Sequence, residues 1–480
     1  EQINKESAYK INESLNDFPG FYIRSSTIRD YPVEVAAHVI GHLGEIKSKF
    51  YNILKNGKEV ISISKHLYVH SVIFEISKNQ KEVDSLAPGE YTTIDGQSFV
   101  IKQHGIIHDI KEDEKKMVFK KEVDYYTHEL LDHRFRQGDL EGKTGIEDAY
   151  DRYLRGKNGM RMILVDAHNR TQGSFSHGSK DTIAVPGKNI VSTIDIHLQE
   201  YGEKLMRNKI GAIVAIEPNS GEILSLISAP SYNPNLMTGR ERSKNYRHLS
   251  SHKDLILFNR ALNGTYPPAS PFKLINGLIA LQENTVDPNK YYRCENGFLY
   301  GNNQLLKCHE HNPNINLYSA IEVSCNSYFC NLWENFFGKY NSVYDGYKVW
   351  TNHVRSFGLG DYLNNDLTTG HPGDIKESTY YDKYYKKGRW NSSTILSMSI
   401  GQGEILVTPI QMANITATIA NRGYFYVPHI IKDIEGVSIP IRFGKKIYTS
   451  IDAEHYKTII KGMEMVVDGI DGSAFASRVN

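Results

Sequence analysis

No stretch of this sequence approaches the ~18 consecutive apolar residues a membrane-spanning helix needs, and no charged-then-apolar leader opens it. The chain starts at Glu1 rather than Met, so the expectation is a segment of a longer gene product, with an N-terminal membrane anchor outside it. A one-sided charge is lacking too. Lys and Arg number 56 against 55 Asp and Glu, which argues against a broad electrostatic partner such as nucleic acid. Tryptophan is scarce, at 3, whereas tyrosine reaches 31, a bias that suits a polymeric, partly polar ligand and equally suits compositional habit. The 19 histidines include no H-E-x-x-H, and no glycine pattern suits a nucleotide. Cysteine is confined to Cys294, Cys308, Cys325 and Cys330, all within 37 positions. Such clustering implies one local device, either two disulfides or a metal site.

What is present is enough chain, 480 residues, for two to four domains with real cores. Texture divides it into an irregular α+β N-terminal half and an α/β C-terminal half. Ile61 to Ile76 is rich in β-branched residues, and Tyr91–Ile94, Asp95-Gly96 and Ser98–Ile101 read as a hairpin about a two-residue turn. The charged run Lys111–Lys121 reads as a solvated face or linker. Gly142–Gly159 reads as an amphipathic helix between glycines, and Met162–Val165 as a strand. Asn189–Ile194 reads as an extended run leading into a helix with Leu198 and Leu205 on one face. Gly211–Ile216 and Glu222–Ile227 flank Pro218-Asn219-Ser220-Gly221 as a hairpin. Helical spacing follows in Phe272, Leu274, Ile275, Leu278 and Leu281, then over 317–336 and about 408–421.

The chemistry-bearing string is Tyr266-Pro267-Pro268-Ala269-Ser270-Pro271-Phe272-Lys273, a serine at the start of an apolar helix with a lysine three positions on. That spacing puts Ser270 and Lys273 on one helix face. A hydroxyl is a poor nucleophile until a neighbouring base takes its proton, and a lysine kept neutral by burial can do so. The helix N-terminus favours the developing alkoxide. Alone, S-x-x-K is weak, and a capping serine beside an exposed lysine is the more frequent meaning. Ser324-Cys325-Asn326 supplies a second S-x-N string whose hydroxyl can relay a proton and whose amide can hold a substrate carbonyl. By itself it would read as a polar helix cap. The two together, in this order and after a hairpin, are far less frequent by chance.

Here the chain resembles the penicillin-binding transpeptidases, whose signature joins S-x-x-K with S-D-N and K-T-G. It resembles the class B enzymes, and among them the elongation-specific penicillin-binding protein 2 group. The strings that carry the resemblance are Phe18-Pro19-Gly20, Tyr31-Pro32, Ala36-Ala37-His38, Gly142–Glu147, Asn263–Pro268, Ala320–Asn326, Gly401-Gln402-Gly403, Thr408-Pro409 and Gln411-Met412-Ala413. The resemblance implies a non-catalytic α+β pedestal or dimerisation-type domain over 1–185, with an unusual insert at about 47–122. An α/β transpeptidase domain over 186–480 would follow, its antiparallel sheet flanked by helices. It further implies that Gln402 and Gly403 line the substrate cleft, although a plain turn there is nearly as natural. His38 reads as a packed or solvated residue.

The third family motif, K-[ST]-G, is absent downstream of Gln402; the expectation is truncation before it, leaving the sheet and cleft wall incomplete. Lys143-Thr144-Gly145 lies upstream and reads as a glycine-rich turn, a decoy for that motif. Some relatives carry a structural zinc between the catalytic motifs, with one ligand in the middle of S-x-N. On that likeness Cys294, Cys308, His311 and Cys325 are the candidate ligands, with His309 as a substitute for His311, while two disulfides stay open as the alternative. Cys325 and Cys330, five apart on a helix, point different ways. The implied activity is cross-linking of peptidoglycan stem peptides ending in D-Ala-D-Ala, inhibited by β-lactams. It would take place at the periplasmic face of the bacterial inner membrane, beside a membrane glycosyltransferase. A catalytically inactive scaffold of cell-wall synthesis and a β-lactam-hydrolysing or sensing relative are the rival readings.

Overall fold

The computed structural model describes residues 10–11, 28–45, 93–94, 97–101, 107–109, 140–166, 171–301 and 303–479. The β-branched stretch 61–76, the Asp95-Gly96 turn, Phe18-Pro19-Gly20 and the Lys111–Lys121 run lie outside these. The chain forms two compact units, Glu1–Ile190 with Asn233–His248, and Val191–Tyr232 with Leu249–Asn480. No described helix is long and apolar enough to cross a membrane.

In the first unit, His42–Glu45 pairs antiparallel with Leu140–Thr144. Lys143-Thr144-Gly145 is therefore the end of a strand running into a helix, not a turn. The helix expected over 142–159 is two short pieces, Gly145–Ala149 and Asp151–Leu154, because Tyr150 between them leaves helical geometry. Glu147, 4 % exposed, is the anchor of this region. Its carboxylate accepts both Arg29 Nε at 2.8 Å and a second guanidinium nitrogen at 3.0 Å, and the Tyr31 hydroxyl at 2.9 Å. The bidentate fork satisfies a charge that would otherwise be costly to bury. Ile163–Val165 pairs with Thr171–Ser174, and Thr93–Ile94 pairs with Gln97–Ile101 in the register a two-residue hairpin requires. His38 is buried at the short helix Ala37–Ile40.

In the second unit, Gly211–Ile216 and Ile223–Ala229 form the expected antiparallel hairpin, its turn closed by Gly221 at φ 81°. Asp195 caps the helix Ile196–Leu205 by accepting from His197 and Leu198 N–H. This helix buries Gln199 and Gly202, while Leu198 and Leu205 are 39 % and 46 % exposed. The leucine face is the outer one, and Gln199 takes the inward position as a polar clamp. Its Oε1 accepts from Leu226 N–H (2.9 Å) and the Ser225 hydroxyl (3.0 Å), and its amide donates to Leu226 O (3.0 Å). Gly202 lets the strand's Ile227 approach, where a Cβ would meet that side chain at 2.1 Å.

The apolar stripe on Phe272–Gln282 is buried at Phe272, Ile275, Leu278, Ile279 and Leu281, with Leu274 partly buried. It packs into a core built around Trp333, Trp350, Trp390, Phe336 and Phe357. Pro409–Ala420 is a helix capped by a Thr408–Gln411 box with proline at its first position. The helix expected over 317–336 is two helices, Leu317–Glu322 and Asn326–Gly338. The chain turns between them because Ser324 sits in the left-handed region at φ 55°.

Candidate active site

Ser270 lies exposed on the turn that enters the Phe272–Gln282 helix. Two contacts hold this turn. Ala269, at φ 55°, donates its N–H to Gly401 O at 2.8 Å, and Tyr266 exchanges both backbone hydrogen bonds with Val407 at 2.9 Å. The segment 401–407 thus runs beside 266–270. Gly401 must be glycine here: its φ is 70°, and a Cβ would stand 2.1 Å from Ala269 O. One turn into the helix, Asn276 donates to Met398 O (3.0 Å) and Ser399 O (2.9 Å) and accepts from Trp350 Nε1 (3.0 Å). The serine turn therefore rests on a satisfied buried network, and rigid support of this kind keeps reacting groups in place.

Lys273 is 2 % exposed. Among the described residues its three hydrogen bonds run to Ser324 O (2.7 Å), Ser324 Oγ (3.0 Å) and Asn326 Oδ1 (2.7 Å). Burial lowers its pKa to about 8, against the opposing pull of Cys325, Cys308 and Cys330. Phe329 lies 5.6 Å below the amine. Lys273, Ser324 and Asn326 are brought into one contact set across 51 positions of sequence, and Ser270 sits one helical turn from Lys273. The left-handed Ser324 points its hydroxyl and its carbonyl at the same amine, a geometry a continuous helix could not provide. Phe329, Asn276 and Trp350 escaped sequence reasoning, because each sits in a hydrophobic run that reads as ordinary core.

Gln402 and Gly403 are exposed on the loop whose Gly401 touches Ala269, and the Gln402 N–H is bonded to Ser397 O at 3.0 Å. They therefore flank the serine turn.

Behind the second motif, ligand atoms of Cys294, Cys308, His311 and Cys325 all lie within 4.8 Å of one another. Cys308 Sγ is 3.8 Å from Cys325 Sγ and 3.3 Å from His311 Nε2. None of the four cysteines is in a disulfide. The Cys308 thiol is held well below the ordinary thiol range, first by a hydrogen bond from Cys325 and then by the backbone N–H groups of Ser327 and Asn326 and by His311. The hydrogen bond with Cys308, and then burial, push Cys325 the other way. His309 stacks edge-on against His311 at 5.3 Å and is not among the four. Cys330 is fully buried, 3.5 Å from Ser399 Oγ, and stands apart from the cluster. The cluster and the motif share atoms: Asn326 N–H donates to Cys308 Sγ (3.3 Å), Asn326 Nδ2 to Lys307 O (3.0 Å), and Tyr328 N–H to Cys325 Sγ (3.3 Å).

The domain brings a serine–lysine pair at one helix entrance against an S-x-N turn at the entrance of another, the arrangement of the penicillin-binding transpeptidase class. Residues 211–479 match the penicillin binding protein transpeptidase domain, and 1–67 with 105–192 match the penicillin-binding protein dimerisation domain. The chain belongs to the penicillin-binding protein transpeptidase family. It is 28% identical over 444 residues to the peptidoglycan D,D-transpeptidase MrdA of Acinetobacter baumannii, covering 90% of this chain and 52% of that one. It is 30% identical over 317 residues to the Escherichia coli MrdA, covering 62% and 46%. The chain thus spans about half the length of these relatives. The PBP2 of Helicobacter pylori, solved in complex with MreC, shares the fold with a TM-score of 0.67 at 21% identity, over 99% of this chain and 72% of that one.

Proposed function

We propose that this chain is a peptidoglycan D,D-transpeptidase working through an acyl-serine. The observation that carries the reading is the buried Lys273 amine, one turn from Ser270 and bonded to both Ser324 and Asn326.

In the reaction, neutral Lys273 Nζ takes the Ser270 hydroxyl proton as Oγ attacks the carbonyl carbon of the penultimate D-Ala. The tetrahedral intermediate collapses with cleavage of the C–N bond to the terminal D-Ala. That nitrogen receives its proton through Ser324 from Lys273, leaving an ester on Ser270. An amine from a neighbouring stem peptide then attacks the ester, the C–O bond breaks, and the proton returns to Ser270. Asn326 orients the substrate amide, and Gln402 and Gly403 line the cleft beside it. β-Lactams enter the same first step and remain on Ser270.

One structural zinc held by Cys294, Cys308, His311 and Cys325 belongs to this proposal. Tetrahedral zinc–thiolate bonds of about 2.3 Å put two sulfurs about 3.8 Å apart, and Cys308 and Cys325 are 3.8 Å apart. The ion would cross-link the stretch 294–326 behind the S-x-N turn, and no chemical step runs through it. The reaction is placed at the periplasmic face of the bacterial inner membrane, in company with elongation partners. Support for that company is the MreC complex formed by the Helicobacter pylori relative.

The test supplies the intact protein with a pentapeptide ending in D-Ala-D-Ala and an acceptor amine. Release of D-Ala with formation of the new amide, lost in Ser270→Ala, is the expected result. Release unchanged in Ser270→Ala would overturn it.

A further inference from the structure

The end of the Ser378–Tyr385 helix and the turn after it, through Arg389, carry a feature the reaction at Ser270 does not use. Lys383, Lys386, Lys387 and Arg389 are all exposed within seven positions, and Tyr384 and Tyr385 beside them are 63 % and 46 % exposed. Among the described residues none of these four cations forms an ion pair. The nearby acids are already engaged: Glu377 pairs with Arg355 and Asp374 with Lys376. Asp382 accepts from the Tyr344 hydroxyl and from Trp390 Nε1, and it also feels the charge of Lys387. The charge of Glu404 reaches Tyr380 and Tyr381, and Glu334 accepts from the Ser392 hydroxyl.

This patch stands on a rigid base. Tyr381 and Trp390, its two ends, are 0 % and 2 % exposed, and their rings pack tilted at 5.1 Å. Gly388 N–H donates to the Tyr344 hydroxyl at 2.8 Å, and Lys386 reverses the chain at φ 65°. From Trp390 the chain enters the Ser392–Ile400 helix, which delivers Gly401 onto Ala269 beside Ser270. That segment is kinked at Ile395, and it is the covalent link between the patch and the serine turn.

We propose that Lys383, Lys386, Lys387 and Arg389, with Tyr384 and Tyr385, form a binding surface for the peptidoglycan polymer beyond the reacting D-Ala-D-Ala end. Peptidoglycan fits the chemistry on both counts. Its stem peptides present free carboxylates to the cations, and its sugar rings present flat apolar faces to tyrosine. This inference rests on the transpeptidase reading and extends it from the reacting terminus to the strand that carries it.

The experiment measures co-sedimentation of the intact protein with purified sacculi at low and high salt, in a Ser270→Ala background so that no covalent link forms. Replacing the four cations with glutamate is expected to weaken binding at least tenfold, and Tyr384→Ser with Tyr385→Ser to weaken it severalfold. Labelling of Ser270 by fluorescent penicillin, measured with Ser270 restored, should be unchanged in both variants. Sacculus binding that survives charge reversal would overturn the proposal. So would binding of the unaltered patch to phosphatidylglycerol vesicles but not to sacculi. Absence of penicillin labelling with sacculus binding intact would instead count against the transpeptidase reading and leave the binding surface standing.

Discussion

Lys273 combines two properties that pull against each other. It is buried, which favours the neutral amine, and it is surrounded by three oxygen acceptors, which favour the ammonium ion. Burial wins part of the way and brings its pKa to about 8. Only the neutral amine can accept the Ser270 proton. The acylation rate by a penicillin should therefore rise about tenfold per pH unit below the pKa and level off above it. Stopped-flow acylation between pH 6 and 10 checks this, and a rate flat across that range would remove Lys273 as the base. The residues in this contact set were legible because S-x-x-K and S-x-N keep their identity whatever surrounds them. The strained Ser324 was not. Its left-handed backbone is imposed by Cys325 N–H on Ala320 O and by the lysine it faces, neither of which local sequence encodes.

At the scale of elements, the stretch 292–315 is a set of short strands and turns with few buried side chains of its own. Gly297–Tyr300 pairs with Gln304–Lys307, and Tyr292–Arg293 with Asn314–Ile315. Side chains that tie these pieces to the Asn326–Gly338 helix include the thiols and His311, Ser327 Oγ on Gly297 O at 3.0 Å, and Asn326 Nδ2 on Lys307 O at 3.0 Å. A metal here would therefore stabilise the stretch in proportion to its affinity. The purified intact protein should contain about one zinc per chain. Chelation, or Cys308→Ser, should lower the melting temperature by several degrees. Metal analysis and calorimetry read both, and four freely titrating thiols with no metal and no shift on chelation would contradict the assignment. Element boundaries here were only partly legible. The apolar spacing over 317–336 runs on through 323–325, and only the polar Ser324-Cys325-Asn326 string marks the break. The inward place of Gln199 in the Ile196–Leu205 helix was hidden because a glutamine pattern carries no periodic signal, whereas two leucines do.

Across the whole molecule, each unit has its own anchoring chemistry. The first is pinned by Glu147 and Arg29, the second by an aromatic core beneath the serine helix. The α+β and α/β halves were legible because the hairpin at 211–229 and the helix at 272–282 have clean periods and sharp turn residues. The Lys143-Thr144-Gly145 strand end reads as a turn in the sequence because its partner strand lies 102 positions away, at His42. The central claim is that this second unit presents one acylatable serine, chosen by the network around Lys273. It is tested most directly by treating the intact protein with a penicillin, digesting it, and locating the adduct by mass spectrometry. The account predicts a single penicilloyl group on the peptide containing Ser270, absent from Ser270→Ala and reduced at least a hundredfold in rate by Lys273→Ala. An adduct on another serine, or none on folded protein, would contradict it.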